Sequence, residues 1–247
     1  MATNVEVDAA VRAPQRGFMA DQGFFVRYAV FLACLIVFAF AQFAMRGFSD
    51  FRTAPPLVHL HGGLMLVWLG IFMAQNLLVH RGELGIHRKL GWTAAAILPV
   101  IALTGIAVGY NAVALHRAPP FFSNPYFLVL TSVGSIVFAV MVAWAIVLRR
   151  QVQWHRRVML GAMFILLEPA FGRLLPMPLL GMWAEWTVLL VQLIFVWVLA
   201  RHDQKVLGGI HPGTKGVAAI LIASHVLIEV LAVLPPVVAF AEAVAAG

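Results

Sequence analysis

The sequence has few charged residues for its length. Of 247 residues, 17 are Lys or Arg and 10 are Asp or Glu, so 11% are charged, whereas about 25% is usual for a soluble domain. The hydrophobic share is 62%, above the roughly 45–50% of soluble domains. This composition excludes a disordered chain, a basic nucleic-acid-binding domain and an ordinary soluble enzyme. The mean hydropathy of +0.94 predicts a polytopic membrane protein.

Several chemistries are excluded by residues and motifs that the sequence lacks. Cys34 is the only cysteine, which excludes an intrachain disulfide, an iron–sulfur cluster and a thiolate zinc site. The sequence contains no G-x-x-x-x-G-K-[ST], no G-x-S-x-G and no H-E-x-x-H. A retinal Schiff base needs a lysine in the middle of the last crossing, and Lys215 lies at its boundary.

Seven stretches are long and apolar enough to form membrane-spanning helices, which need about 20 mainly apolar residues each. They cover residues 26–45, 57–79, 91–113, 126–148, 158–175, 179–200 and 216–240. The fifth contains Glu168, Pro169 and Arg173, so the fifth and sixth have an alternative interpretation as one interrupted hairpin. The seventh is expected to bend or break at Pro235-Pro236. The predicted fold is an all-α, polytopic bundle of seven transmembrane helices.

The distribution of positive charge predicts the orientation of these crossings, because short cytoplasmic loops collect Lys and Arg. With seven crossings, 13 of the 17 cations fall on the side of the N-terminus. These 13 are Arg12, Arg16, Arg27, Arg81, Arg88, Lys89, Arg149, Arg150, Arg156, Arg157, Arg201, Lys205 and Lys215. We therefore expect a bacterial inner-membrane protein with a cytoplasmic N-terminus and a periplasmic C-terminus. Residues 1–23 are expected to form a flexible cytoplasmic tail, and residues 24–247 a single transmembrane domain.

The second stretch carries polar residues at helical spacing. His61, Trp68 and Gln75 are seven residues apart and share one face of a helix, whereas His59 points to another face. This makes His61 the better candidate ligand. The alternative is an interfacial helix start with two solvated histidines.

Two histidines open helices on the predicted cytoplasmic side, and each is followed by two cations. They are His87-Arg88-Lys89 at the third stretch and His155-Arg156-Arg157 before the fifth. A b-type haem needs two imidazoles from facing helices and cations for its propionates. The alternative is a pair of ordinary positive-inside loops in which a histidine precedes the arginines.

Further ionisable residues fall inside predicted spans, where each is a functional hypothesis because its burial is costly. Glu168 and Arg173 could pair across the kink at Pro169, as a structural ion pair or as part of a proton or quinone site. His225 and Glu229 are four residues apart and share one helix face. They are expected to form a hydrogen-bonded pair or half of a metal site.

These motifs resemble those of known membrane proteins. The chain resembles a group of uncharacterised bacterial multi-pass membrane proteins over roughly residues 55–175. The residues that carry this resemblance are His59-Leu60-His61, Trp68, Gln75, Leu78-Val79, His87-Arg88-Lys89-Leu90-Gly91, His155, Arg157, Met159-Leu160 and Ala170-Phe171-Gly172-Arg173.

A looser resemblance is to cytochrome b561-type membrane domains, which hold two haems with histidines at helix ends and carry electrons across the membrane. The run His61-Gly62-Gly63-Leu64-Met65, ending near His87, looks like their opening helix pair. The resemblance implies that His61, His87 and His155 are axial ligands of haem iron. One haem, two haems or none all remain open, because His116, the candidate partner of His61, lies in a loop.

The leading hypothesis is therefore a b-type cytochrome that carries electrons or supports a quinone-linked redox step. It places His87 and His155 on an inner haem, His61 on an outer haem or quinone pocket, and Arg88 and Arg157 at the propionates. A quinone or a redox protein would be its partner, and no nucleic acid is expected.

Two further hypotheses come from other classes of protein. One is a cofactor-free transporter whose polar path is lined by intramembrane polar side chains. Those side chains are His61, Gln75, Glu168, Arg173, His225 and Glu229. The other is a structural or assembly protein of the membrane.

Overall fold

The computed structural model describes residues 20–50 and 52–247, and every regular element in that range is helical. The helices are α1 Gln22–Met45, α2 Pro56–His80, α3 Leu84–Ala114, α4 Asn124–Val147, α5 Val152–Ile165, α6 Leu167–Leu174, α7 Met177–Leu180, α8 Ala184–Leu207, α9 Pro212–Ala232 and α10 Pro235–Ala246. Short 3₁₀ turns follow α4 (Leu148–Arg150) and precede α8 (Gly181–Trp183). Of the predicted tail (residues 1–23), residues 1–19 lie outside the part of the chain that the structure describes.

Six segments are long and apolar enough to cross a membrane. They are Gln22–Met45, Pro56–His80, Leu84–Ala114, Asn124–Arg150, Met177–Leu207 and Pro212–Ala232. Large apolar side chains cover their outer faces, for example Phe31 at 55%, Leu66 at 59% and Trp197 at 60% exposure. Such surfaces need lipid rather than water around them. The chain is therefore a multi-pass helical integral membrane protein, as the composition predicts.

The fifth predicted stretch is divided into α5 and α6 at Leu166. Pro169 explains the break, because it has no N–H to donate to the carbonyl of Ile165. The carbonyl of Phe164 is bound by the buried side chain of Gln192 on α8, with Nε2 at 2.9 Å. The distortion is therefore supported by a neighbouring helix, as backbone groups within a bilayer require.

α5 and α6 lie in the interior of the bundle, packed by α1, α4, α8 and α9. Val158, Ala162 and Met163 are completely buried. Near the start of α5, Arg156 donates a hydrogen bond to Asp21, the residue that precedes α1. Near the end of α1, Gln42 donates to the carbonyl of Arg173 on α6 at 2.9 Å. The α5–α6 pair therefore runs parallel to α1 between the same two ends of the bundle.

Two ion pairs join helices at the end of the bundle where α1 begins, which we call the N-terminal face. Arg156 donates two hydrogen bonds of 2.7 Å to the two carboxylate oxygens of Asp21. Arg157 donates through Nε to Asp203 at 2.9 Å, and both side chains are completely buried. Asp203 also accepts from the backbone N–H of His211. These contacts fix the ends of α1, α5, α8 and α9 relative to one another.

The chain ends with a helix that follows the predicted break at two prolines. α9 ends at Ala232 and α10 begins at Pro235. Ala241 and Val244 of α10 are buried with Val113 of α3 and Leu128 of α4. α10 therefore packs on the end of the α3–α4 pair at the face opposite the N-terminal one.

Candidate functional site

His87 and His155 lie next to each other near the N-terminal face. His87 is in the first turn of α3 and His155 in the first turn of α5. Their ring centroids are 6.4 Å apart, and the ring planes are nearly perpendicular at 89°. The sequence places these histidines at similar depth, and the folded chain brings them together.

The hydrogen bonds of the two rings determine which nitrogens remain available. Nδ1 of His155 lies 2.8 Å from the backbone oxygen of Ala145 on α4. Because a carbonyl oxygen only accepts, Nδ1 carries the proton and Nε2 keeps its lone pair. Nδ1 of His87 is buried without a hydrogen-bond partner among the described residues. Each ring therefore retains one nitrogen for a ligand.

A glycine allows α2 to approach α3 beside these rings. A Cβ added to Gly91 would lie 3.2 Å from Nε2 of Gln75. The Oε1 of Gln75 is also buried, with no hydrogen-bond partner in the described chain. We call Gln75, His87, Ala145 and His155 the inner histidine site. It combines residues of four helices.

The two arginines predicted beside this site differ in their surroundings. Arg88 is exposed, and its Nε donates to the carbonyl of Leu84 one turn earlier at 3.3 Å. Arg157 is buried in its ion pair with Asp203. A ligand carboxylate can therefore reach Arg88 without breaking an ion pair, whereas binding to Arg157 would require its pair to open.

His61 has a separate environment. Its Nδ1 lies 3.0 Å from Oγ1 of Thr104 on α3. That hydroxyl donates to the carbonyl of Val100 at 2.7 Å, so His61 is the donor and keeps its Nε2 lone pair. Trp68, on the same stripe of α2, is only 3% exposed, while His59 is exposed. The predicted separation of the two faces of α2 is thus present in the structure.

Acidic and aromatic residues meet toward the opposite face. Tyr126 near the start of α4 donates to Oε1 of Glu229 on α9 at 2.9 Å. His225 lies one turn before Glu229, with 3.7 Å between Nε2 and Oε1. Glu185 on α8 and Glu168 on α6 are close enough for their charges to interact with this group. We call Tyr126, Glu168, Glu185, His225 and Glu229 the acidic cluster.

Glu185 has the least favourable surroundings of the cluster. It is 6% exposed, and neither of its carboxyl oxygens has a hydrogen-bond partner among the described residues. Nε2 of His225 is likewise buried without a hydrogen bond in that part of the chain. An unpaired buried carboxylate is strongly unfavourable, so this site favours a proton or another positive charge.

The ion pair predicted between Glu168 and Arg173 is not formed as a direct contact. Arg173 donates to the carbonyl of Pro169 at 2.7 Å, and its guanidinium lies 4.0 Å from the centre of the Phe40 ring. Its charge acts on Glu168 only at longer range. The arginine therefore helps to hold the kinked segment against α1.

Several interacting residues were not identified from the sequence. Glu185 and Tyr126 join the acidic cluster, and Asp21 and Asp203 bind the arginines of α5. A complete list of intramembrane acids would have included Glu185, which lies beside Trp183 and Trp186 at a helix start. Sequence offers no comparable signal for Asp203, since 46 positions separate it from Arg157.

The described residues include no group of three or more His, Cys, Asp or Glu side chains placed to hold a metal ion. A haem with two protein ligands requires only a pair. No protein-family model, curated protein or solved structure matches the chain, so its functional interpretation rests on the geometry of its own sites.

Proposed function

We propose that this protein is a b-type haem protein that exchanges electrons within the membrane, and that His87 and His155 would hold the haem. The observation that carries the proposal is the 6.4 Å between their ring centroids. A metal ion held by one nitrogen of each ring, through bonds of about 2.0–2.1 Å, would fit within this separation. The two side chains come from different helices, as a ligand held between helices requires.

The hydrogen bonds around the rings support the same role. A metal-binding histidine commonly donates its other ring N–H to a carbonyl, which fixes the tautomer and the orientation of the ring. His155 has such a partner in the carbonyl of Ala145, 2.8 Å from its Nδ1. The buried Nδ1 of His87, which has no hydrogen-bond partner in the described residues, also fits a ligand role.

The bound haem would supply a one-electron centre close to the N-terminal face. Arg88 is the cation placed to bind a propionate there, because it is exposed and has no ion pair among the described residues. The ion pair of Arg157 with Asp203 instead positions α5, and therefore His155, relative to α8. A quinone or a redox protein at this face would exchange the electron.

The proposal includes seven membrane crossings, with α5 and α6 together as the fifth. This count is supported by the course of α5 and α6, which run parallel to α1. Arg156 of α5 contacts Asp21 at one face, and Arg173 of α6 contacts Gln42 toward the other. With the basic residues on the cytoplasmic side, the inner histidine site lies near the cytoplasm of a bacterial inner membrane. His61 is then in the opposite half, bound to Thr104.

Absorption spectroscopy of the purified protein tests the haem. Protein expressed with added haem should show a Soret band and α and β bands that sharpen on reduction, and pyridine haemochromogen analysis should give about one haem b per chain. His87→Ala and His155→Ala should each remove most of this absorbance. His80→Ala and His116→Ala are matched controls, because both histidines are exposed, and these variants should retain the wild-type spectrum.

A colourless wild-type preparation, without haem after haem-supplemented expression, would contradict the proposal. Equal loss of haem in all four variants would also contradict it, because the absorbance would then not depend on the inner histidine site. Size-exclusion chromatography of each variant shows whether the protein remains folded in detergent.

A second candidate function is proton transfer through the acidic cluster without a cofactor. The observation that favours it is Glu185, which is buried without a hydrogen-bond partner among the described residues, close to two further carboxyl groups. Carboxyl groups that approach one another away from water bind and release protons readily, because they cannot all carry charge. The side chain of Glu229 is 35% exposed and would connect the cluster to the opposite face.

Proton flux into proteoliposomes tests this candidate. Vesicles that contain the wild-type chain and a pH-sensitive dye should dissipate an imposed pH gradient faster than empty vesicles. Glu185→Gln should abolish that difference, whereas Glu242→Gln should not, because Glu242 is an exposed acid on α10. Equal rates for wild-type and empty vesicles would exclude proton transfer.

A further inference from the structure

A cleft between α1 and α8 opens at the N-terminal face and continues into the membrane-facing side of the bundle. Its wider part is a cavity of about 870 Å³ lined by residues of the two helix ends, from Ala20 to Arg27 and from Val198 to Val206. A narrower cavity of about 400 Å³ follows it toward Phe31. The two share Phe24, Arg27 and Val198, so they form one continuous groove.

The mouth of this cleft is positively charged. Arg27, Arg201 and Lys205 line it, and none of the three forms an ion pair with a carboxylate in the described part of the chain. Asp21 is the acid in the lining, and its two carboxylate oxygens are bound by Arg156. The acid is therefore neutralised, and the three cations determine the charge of the mouth.

The inner part of the cleft is apolar. Phe31, Ile194 and Phe195 line it, and the hydroxyl of Tyr28 is already bound to the carbonyl of Phe195 at 2.6 Å. Phe31 is 55% and Ile194 50% exposed, so the groove is open to the side. Phe31 lies one turn beyond Arg27 on α1, about 6 Å deeper in the membrane by the helical rise.

We propose that this cleft binds an anionic phospholipid, with the phosphate headgroup at Arg27, Arg201 and Lys205 and an acyl chain along Phe31 and Ile194. Basic pockets between helices on the cytoplasmic side are suited to anionic headgroups. Free phosphate would leave the apolar inner part unfilled, and a zwitterionic lipid would bring no net negative charge to the three cations. Residues 1–19 match the three cations less well, because their two acids, Glu6 and Asp8, are balanced by Arg12 and Arg16.

Native mass spectrometry of the full chain tests the proposal. The protein is mixed with equal amounts of phosphatidylglycerol and phosphatidylcholine that carry the same acyl chains, and the bound ratio is measured. Wild type should prefer phosphatidylglycerol. The triple variant Arg27→Gln/Arg201→Gln/Lys205→Gln should lose at least about tenfold of this preference.

A matched variant separates the cleft from the general charge of the face. Arg81→Gln/Arg149→Gln/Arg150→Gln removes three exposed cations from predicted loops on the same side, and it should bind phosphatidylglycerol like wild type. Equal loss in the two triple variants, or equal binding of the two lipids by wild type, would overturn the proposal.

Three further measurements examine the apolar part and the occupant. Ile194→Trp, which fills the groove and keeps every cation, should weaken phosphatidylglycerol binding, and unchanged binding would overturn the acyl-chain contact. Inorganic phosphate should not displace the lipid more than chloride at equal ionic strength, since displacement would indicate a phosphate site only. A benzophenone side chain at Val198 should crosslink to lipid, whereas crosslinking to residues 1–19 would identify the tail as the occupant.

Discussion

At the scale of single residues, the ion pair of Arg157 with Asp203 joins two helices in the interior of the bundle. Both side chains are completely buried, and Asp203 also accepts from Thr214 and from the backbone of His211. A buried pair of this kind adds little stability compared with apolar residues, but the loss of one partner leaves an uncompensated charge. The pair therefore makes the position of α5 depend on α8 and α9.

Removal of the carboxylate charge should destabilise the protein strongly. For Asp203→Asn we expect a loss of about 3–5 kcal/mol in the free energy of unfolding, because Arg157 stays buried without a counter-charge. Unfolding in SDS, followed by circular dichroism, measures this change. Asp50→Asn is the control, because Asp50 is exposed, and similar losses in the two variants would contradict the assigned role of the buried pair.

His211 should make the stability depend on pH. It caps α9 by accepting from the backbone N–H of Gly213 at Nδ1, 2.9 Å away. Burial, assisted by the nearby charge of Arg157, lowers the pKa of His211 below its ordinary value of 6.5. The unfolded chain therefore takes up the proton at higher pH than the folded chain, and the contribution to stability is lost as the pH falls below about 6.5.

A substitution isolates this contribution from those of the other histidines. Asparagine also caps helices but does not titrate, so the melting temperature of His211→Asn should fall less than that of wild type between about pH 8 and about pH 5. Differential scanning fluorimetry in detergent measures both profiles. Parallel profiles would show that His211 does not contribute to the pH dependence.

At the scale of helices, the close contact of α3 with α4 depends on two glycines one turn apart. A Cβ added at Gly105 would overlap Oγ of Ser135, and one added at Gly109 would overlap the side chain of Thr131. The G-x-x-x-G pattern at these positions is readable in the sequence and permits such an approach. The identity of the partner helix is decided only by the fold.

Gly109→Ala should therefore force α3 and α4 apart. We expect a destabilisation of about 1–3 kcal/mol, as for other overpacked interiors. Gly134→Ala on α4 is the matched control, because a Cβ there meets no atom within 4 Å, and it should be neutral or slightly stabilising by helix propensity. SDS unfolding compares the two variants, and equal stabilities would show that α3 and α4 can separate without cost.

At the scale of the whole molecule, the number of crossings determines on which side of the membrane the C-terminus lies. Seven crossings place the two termini on opposite sides of the membrane, whereas six place them on the same side. The fifth crossing is the one whose apolar pattern is interrupted in the sequence, by Pro169 and two charged residues. In the structure, α5 and α6 are shielded from lipid by α1, α4, α8 and α9, so this segment has no need for a continuous apolar surface.

Reporter fusions test this topology. With seven crossings and a cytoplasmic N-terminus, alkaline phosphatase fused after Gly247 should be active and green fluorescent protein at the same position should be dark. Fusions after Arg150, in a predicted cytoplasmic loop, should show the reverse pattern and serve as the internal control. A fluorescent C-terminal fusion would contradict seven crossings.

Apolar content and the length of the apolar runs were enough to predict a helical membrane protein, because a span must match the thickness of a bilayer. The seven-residue spacing of His61, Trp68 and Gln75 also predicted that they share one face of α2 and that His59 lies on another. Which polar groups lie together became known only from the packing of the helices. His87 and His155 are 68 positions apart in the sequence, and Glu185 and Glu229, on different helices, lie close enough for their charges to interact. Such contacts depend on how helices pack against one another, and the periodicity of a single helix carries no information about its partner.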